Sequence, residues 1–111
     1  MILEPRGTED WRAWLAASHD SETEIWLVVQ HKASPRQGPR YGEAVEQALC
    51  FGWIDSSTRR HDEHSFRQRF SPRRPGSNWS DLNRQRASRM IEQGLMTEHG
   101  LAALGESATN S

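Results

Sequence analysis

The residues best equipped for chemistry are the arginines between positions 59 and 89. Nine fall in that stretch against Asp62, Glu63 and Asp81, a local surplus of six positive charges in a chain whose net charge is −1. Thirteen of the fourteen basic residues are arginine, whose planar fork meets a carboxylate or phosphate through two parallel N–H bonds. The chemistry this favours is anion recognition. Arg59, Arg60, Arg67, Arg69, Arg73 and Arg74 are the candidate ligand-binding residues, with Trp53 and Asp55 shaping an adjacent pocket.

Signals for bond-making chemistry are sparse. No G-x-S-x-G, P-loop or dinucleotide fingerprint occurs. The two histidines of "HDEH" (61–64) flank two solvent-seeking acids and lack an identifiable third ligand, so a plain turn is expected and no metal or cofactor is called for. Cys50, the single cysteine, is read as a buried inert thiol near the end of a helix. Asp55 is the one residue on which an enzymatic alternative rests, as a general acid or base.

These residues sit on a recognisable frame. "WIDSSTRR" (53–60) and "SFRQRFS" (65–71) alternate with period two around "HDEH" and form a β-hairpin. A turn centred on Asp62 and Glu63 makes paired positions sum to 125. Trp53, Asp55, Ser57, Arg59, Phe66, Gln68 and Phe70 then share the core-facing side, while Arg60, Arg67 and Arg69 line the solvent side. The arrangement separates aromatics from most arginines, and it turns Asp55 inward, where it needs a partner such as Arg59.

"TEIWLVVQHK" (23–32) reads as a buried strand that pairs with the hairpin. "ASPRQGPR" (33–40) is a surface loop, and "SPRRPG" breaks the second hairpin strand at Pro72 and Pro75. Helices are expected near 9–18, 42–51, 78–93 and 98–104. Thr8, Ser77 or Ser80, and Thr97 serve as caps, and Gly52 and Gly94 as stops. Trp79, Leu82, Ala87, Met90 and Ile91 are the apolar members of the third helix. The fold class is α+β: a small antiparallel sheet, strand plus β-hairpin, packed against about four helices in one domain spanning 1–111, with 105–111 a frayed tail. The start lacks a signal peptide pattern and the longest apolar run, "IWLVV", is too short for a bilayer. A cytoplasmic protein without membrane insertion is expected.

"YGEAVEQALCFGWIDS" and "RFSPRRPGSNWSDLN" together resemble the bacterial YdeI/OmpD-associated family, named for proposed bacteriocin protection. The first matches the family pattern at Tyr41, Glu43, Ala44, Val45, Ala48 through Ser56 except where the pattern is open. The second matches at Arg69 through Pro75 and at Trp79, Ser80 and Asn83. The resemblance covers about Trp11 to Leu104, and many relatives add a basic helical segment that these 111 residues lack. It implies no established reaction or catalytic residue.

The expected function is a non-enzymatic binding protein, linked through the resemblance to bacteriocin or antimicrobial-peptide protection. Its partner would be an acidic protein, peptide or phosphorylated ligand. A single-stranded nucleic-acid binder is the first alternative, since arginines interleave with Phe66, Phe70 and Trp79. A small enzyme using Asp55 is the second.

Overall fold

The computed structural model describes residues 1–74 and 79–109. In chain order these form β1 (Ile2–Leu3), α1 (Thr8–Ser18), β2 (Ile25–Gln30), α2 (Tyr41–Cys50), β3 (Trp53–Arg60), β4 (Ser65–Pro72), α3 (Asp81–Glu92) and α4 (Glu98–Thr109). The fold is the expected α+β, with four helices and a small sheet. The sheet, however, has four strands in the order β1-β2-β4-β3, and β1 pairs parallel to β2. Two residues are too few to show an alternation, so β1 left no trace in the pattern.

β2 sorts its side chains by parity. Ile25, Leu27 and Val29 lie opposite Phe70, Gln68 and Phe66 on the helix side, while Trp26 and Val28 lie opposite Arg69 and Arg67 on the other. The helix side is closed by aromatic packing. The Trp11 ring sits 5.2 Å from that of Phe70 and stacks at 5.7 Å on Trp14, which meets Trp53 edge-on. Trp11, Leu15, Ile25, Leu27, Val29 and Phe70 have no exposed surface, and each full burial contributes about 1.5–3 kcal/mol. The buried indole N–H of Trp11 donates to the Ala44 carbonyl at 3.0 Å, which joins α1 to α2 without an orphan donor.

α2 is the hub, packing on α1, α3 and α4 as well as on β2 and β3. Its stop is Gly52 at φ 77°, a left-handed conformation that suits glycine. Arg12 ties the helices together from the side: its guanidinium donates to Gln47 at 2.8 Å and to the Leu95 carbonyl at 2.7 Å, and lies over the Phe51 ring.

Several local expectations change. The N-cap of α1 is Gly7 and Thr8 is already helical. Ser80 caps α3 by accepting from the Asn83 N–H, whereas Ser77 and Pro75 lie outside the described residues. On α3, Ala87 and Met90 are buried but Leu82 and Ile91 are exposed, because α3 meets the rest of the fold through one narrow stripe. α4 continues to Thr109, five residues past its expected end at Leu104. Among the described residues no helix is long and apolar enough to cross a membrane.

α4 docks through a close backbone approach. A Cβ on Gly100 would stand 2.5 Å from the Cys50 carbonyl oxygen and would overlap the Met96 sulfur. Gly100→Ala should therefore cost about 1–3 kcal/mol through overpacking, read as a lower thermal midpoint. Gly42→Ala, where an added Cβ meets nothing within 4 Å, should leave the midpoint unchanged or raise it.

Candidate functional site

The arginines are distributed by an irregularity in the hairpin. Asp55 lies opposite Phe70, but Thr58 lies opposite Gln68, so β3 carries one residue more than β4 between these pairs. The 125 sum holds for Trp53 to Asp55 and becomes 126 beyond the bulge. Gln68, 1% exposed, turns its amide N–H to the Ser57 carbonyl at 3.0 Å and so satisfies the carbonyl that the bulge takes out of the ladder.

The consequence is an exchange of faces. Arg59, expected on the core side, stands opposite Arg67 on the helix-free face, and Arg60, expected outside, stands opposite Phe66. Phe66 itself is half-buried rather than part of the closed core.

On the helix-free face Arg59, Arg67 and Arg69 surround the half-buried Trp26. The Arg59 guanidinium lies 5.2 Å from the Trp26 ring centroid. Arg69 pairs with Glu24 at 2.7 Å and donates to Ser56 at 3.1 Å. The Arg67 Nε–H donates to His61 Nδ1 at 3.0 Å, which places the ring proton of a neutral His61 on Nε2, 3.5 Å from Glu4. Arginine and an aromatic ring thus share one face, contrary to the separation expected from the hairpin alone.

Asp55 and Trp53 have structural surroundings. Trp53 is 1% exposed, and its N–H donates to the His19 carbonyl at 3.2 Å. It belongs to the core. Asp55 is half-buried and accepts from the Tyr41 hydroxyl at 2.6 Å, so its partner is Tyr41 rather than Arg59. Arg86 lies 5.6 Å over the Tyr41 ring and donates to Asn83, which brings α3 to the same corner. Arg73 stacks 4.1 Å from the Trp79 centroid and gives its backbone N–H to Gly52, which gives it a structural role at the end of the hairpin. Arg74 is exposed beside it.

Burial pushes the Cys50 thiol up, with Arg12 partly opposing, so the surroundings favour the neutral thiol. In the hairpin turn Asp62 is held far below the usual carboxylate range, first by its hydrogen bond from Arg36 and then by the backbone N–H of His64. "HDEH" is thus a turn closed by its own aspartate. Among the described residues no group of three or more His, Cys, Asp or Glu side chains is placed to hold a metal ion.

Trp26, Tyr41 and His61 were not among the expected site residues. Trp26 sat in a run read as buried on both faces, and only the pairing of β2 with β4 reveals its direction. Tyr41 and Asp55 are 14 residues apart and meet because α2 folds back on β3.

Tyr41 gives this corner a direct readout, since it is the only tyrosine. Its pKa is pushed up from 10.0 to about 12, first by partial burial, then by the hydrogen bond to Asp55 and the charge of that carboxylate, with Arg86 opposing. A raised phenol pKa means that the folded state holds the proton. The associated stability is complete below pH 10 and is lost as pH rises toward about 12. A phenolate absorbance titration should find its midpoint well above 10, and Asp55→Asn should lower it without restoring the ordinary value, because burial remains.

No curated protein and no solved structure matches the chain. A family model does, over residues 3–103, nearly the full length of the described chain. On that match the chain belongs to the family described as a domain of unknown function, DUF8412.

Proposed function

We propose that the protein is a non-enzymatic, cytoplasmic binding protein that engages an anionic partner, an acidic polypeptide or a phosphorylated ligand, on the helix-free face of its sheet. The observation that carries this reading is the cross-strand pair Arg59 and Arg67, directly opposite one another beside Arg69 and Trp26. Like charges in that position repel, and a carboxylate or phosphate between the two guanidiniums would convert the repulsion into charge-assisted hydrogen bonds. Arg69 is held by one hydrogen bond to Ser56 and a partly exposed ion pair worth about 0–1 kcal/mol, so a ligand anion can take the place of Glu24.

The resemblance of 41–56 and 69–83 to the YdeI/OmpD-associated family belongs to the same proposal. It would place the partner among polypeptides connected with bacteriocin or antimicrobial-peptide protection. An enzymatic role for Asp55 draws less support: Asp55 is occupied by Tyr41, and Trp53 is sealed in the core.

One observation favours a second reading. Trp26 shares its face with three arginines, so a base could stack on the indole while guanidiniums neutralise the flanking phosphates, as single-strand binding surfaces do. A titration with short polyglutamate, inorganic pyrophosphate and a single-stranded oligonucleotide, each at two salt concentrations, separates the two. Polyglutamate or pyrophosphate should bind, and Arg59→Gln with Arg67→Gln should weaken binding about tenfold or more at an undiminished thermal midpoint. Preferential, steeply salt-dependent oligonucleotide binding would favour the second reading. A collapse of stability in the double variant would assign the arginines to the fold.

A further inference from the structure

The helix side of the sheet is not covered along its whole length. α2 begins at Tyr41, and beyond it the hairpin continues with Phe66 and Arg60 opposite one another on the helix-facing side. Phe66 is left half-buried, touched by the His31 ring at 5.1 Å between centroids. Two clefts adjoin this ring pair and share both residues. One, of about 580 Å³, runs toward α2 and is lined by Lys32, Arg40 and Tyr41; the other, of about 610 Å³, runs toward the hairpin turn and is lined by Thr58, Arg59, Arg60, Asp62 and Glu63. Each volume matches the size of small-molecule sites.

Four cations, Lys32, Arg40, Arg59 and Arg60, line these clefts against three acids, Glu43, Asp62 and Glu63. Among the described residues Lys32, Arg40 and Arg60 enter no ion pair. The Arg40 guanidinium is fixed by three carbonyl oxygens, of Ser34, Arg36 and Gly38, which orient it without cancelling its charge. The three acids have contacts other than with Lys32 and Arg60. Glu43 accepts from the Arg40 backbone N–H, Asp62 is paired with Arg36, and Glu63 is exposed beside His64. The combination is an aromatic wall of Phe66, His31 and Tyr41 with cations at its rim.

We propose that the clefts beside Phe66 bind a compact aromatic carboxylate, with its ring against Phe66 and His31 and its charge toward Lys32 and Arg60. The aromatic wall accounts for the ring, through offset or edge-on stacking. The rim accounts for the anion, since Lys32 and Arg60 are not committed to any ion pair among the described residues. Arg67 and Arg69 line neither cleft; the cleft toward the turn shares Arg59 with the other face, but the site does not rest on the function proposed there.

Calorimetric titration with 2-naphthoate tests the site, with 2-naphthamide supplying the ring without the charge and acetate the charge without the ring. Naphthoate should bind with one-to-one stoichiometry, the amide about tenfold more weakly, and acetate not measurably. Lys32→Gln with Arg60→Gln, both at exposed positions, should bring naphthoate down to the level of the amide. Phe66→Ala should remove binding of both aromatic probes, and Phe66→Leu, which keeps the apolar volume, should weaken both if the alanine variant proves unstable. Arg67→Gln with Arg69→Gln should leave naphthoate binding unchanged, so failure here is distinct from failure of the other face. Absence of naphthoate binding, equal binding of acid and amide, or indifference to the Lys32 and Arg60 substitutions would each overturn the proposal.

Discussion

The bond from the Gln68 amide to the Ser57 carbonyl decides more about this surface than any other single contact. A bulge in an antiparallel pair leaves one backbone group without a ladder partner, and a buried glutamine on the neighbouring strand supplies it. With the extra residue stabilised, Thr58, Arg59 and Arg60 change face. Arg59 is thereby set against Arg67 and Trp26, and Arg60 against Phe66. A regular hairpin of the same sequence would present a different charge distribution on both sides.

The helical layer sets the second constraint. Aromatic packing of Trp11, Trp14, Trp53 and Phe70 closes the core over one end of the sheet, and α2 carries the contacts to the remaining helices. Four helices on one side leave the other side of β2 and β4 to polar cover alone: Arg69 with Glu24, Arg67 with His61, and Arg59 over an indole. The hairpin also outruns α2, so Phe66 keeps an open edge. Both surfaces on which binding is proposed arise from where the helical layer ends.

The arginines consequently have three kinds of surroundings. Arg12, Arg40 and Arg73 serve the fold, as a clamp between helices, a post for the 33–40 loop and a lid on Trp79. Arg59, Arg67 and Arg69 form a repelling cluster held by weak, exchangeable contacts. Arg60 lines one of the two aromatic clefts and Lys32 the other, and among the described residues neither enters an ion pair. The local positive surplus is therefore divided between two sides of a sheet, and its meaning is read from contacts rather than from the count.

The sequence by itself determined the α+β class, the hairpin strands at 53–60 and 65–71, the four helices to within a few residues and the glycine stops at 52 and 94. These rest on period, capping chemistry and backbone permissiveness, all of which act between residues close in the chain. It also marked the arginines as the unusual feature. Only the tertiary structure decided which way they point, because one inserted residue reverses strand parity and its stabilising partner, Gln68, lies on the other strand. The Tyr41 to Asp55 bond, the burial of Trp53, the exposure of Leu82 and Ile91 and the position of Trp26 are likewise set by packing between elements distant in sequence. Local pattern cannot specify such contacts, since the same alternation is compatible with either face until a neighbouring layer covers one of them.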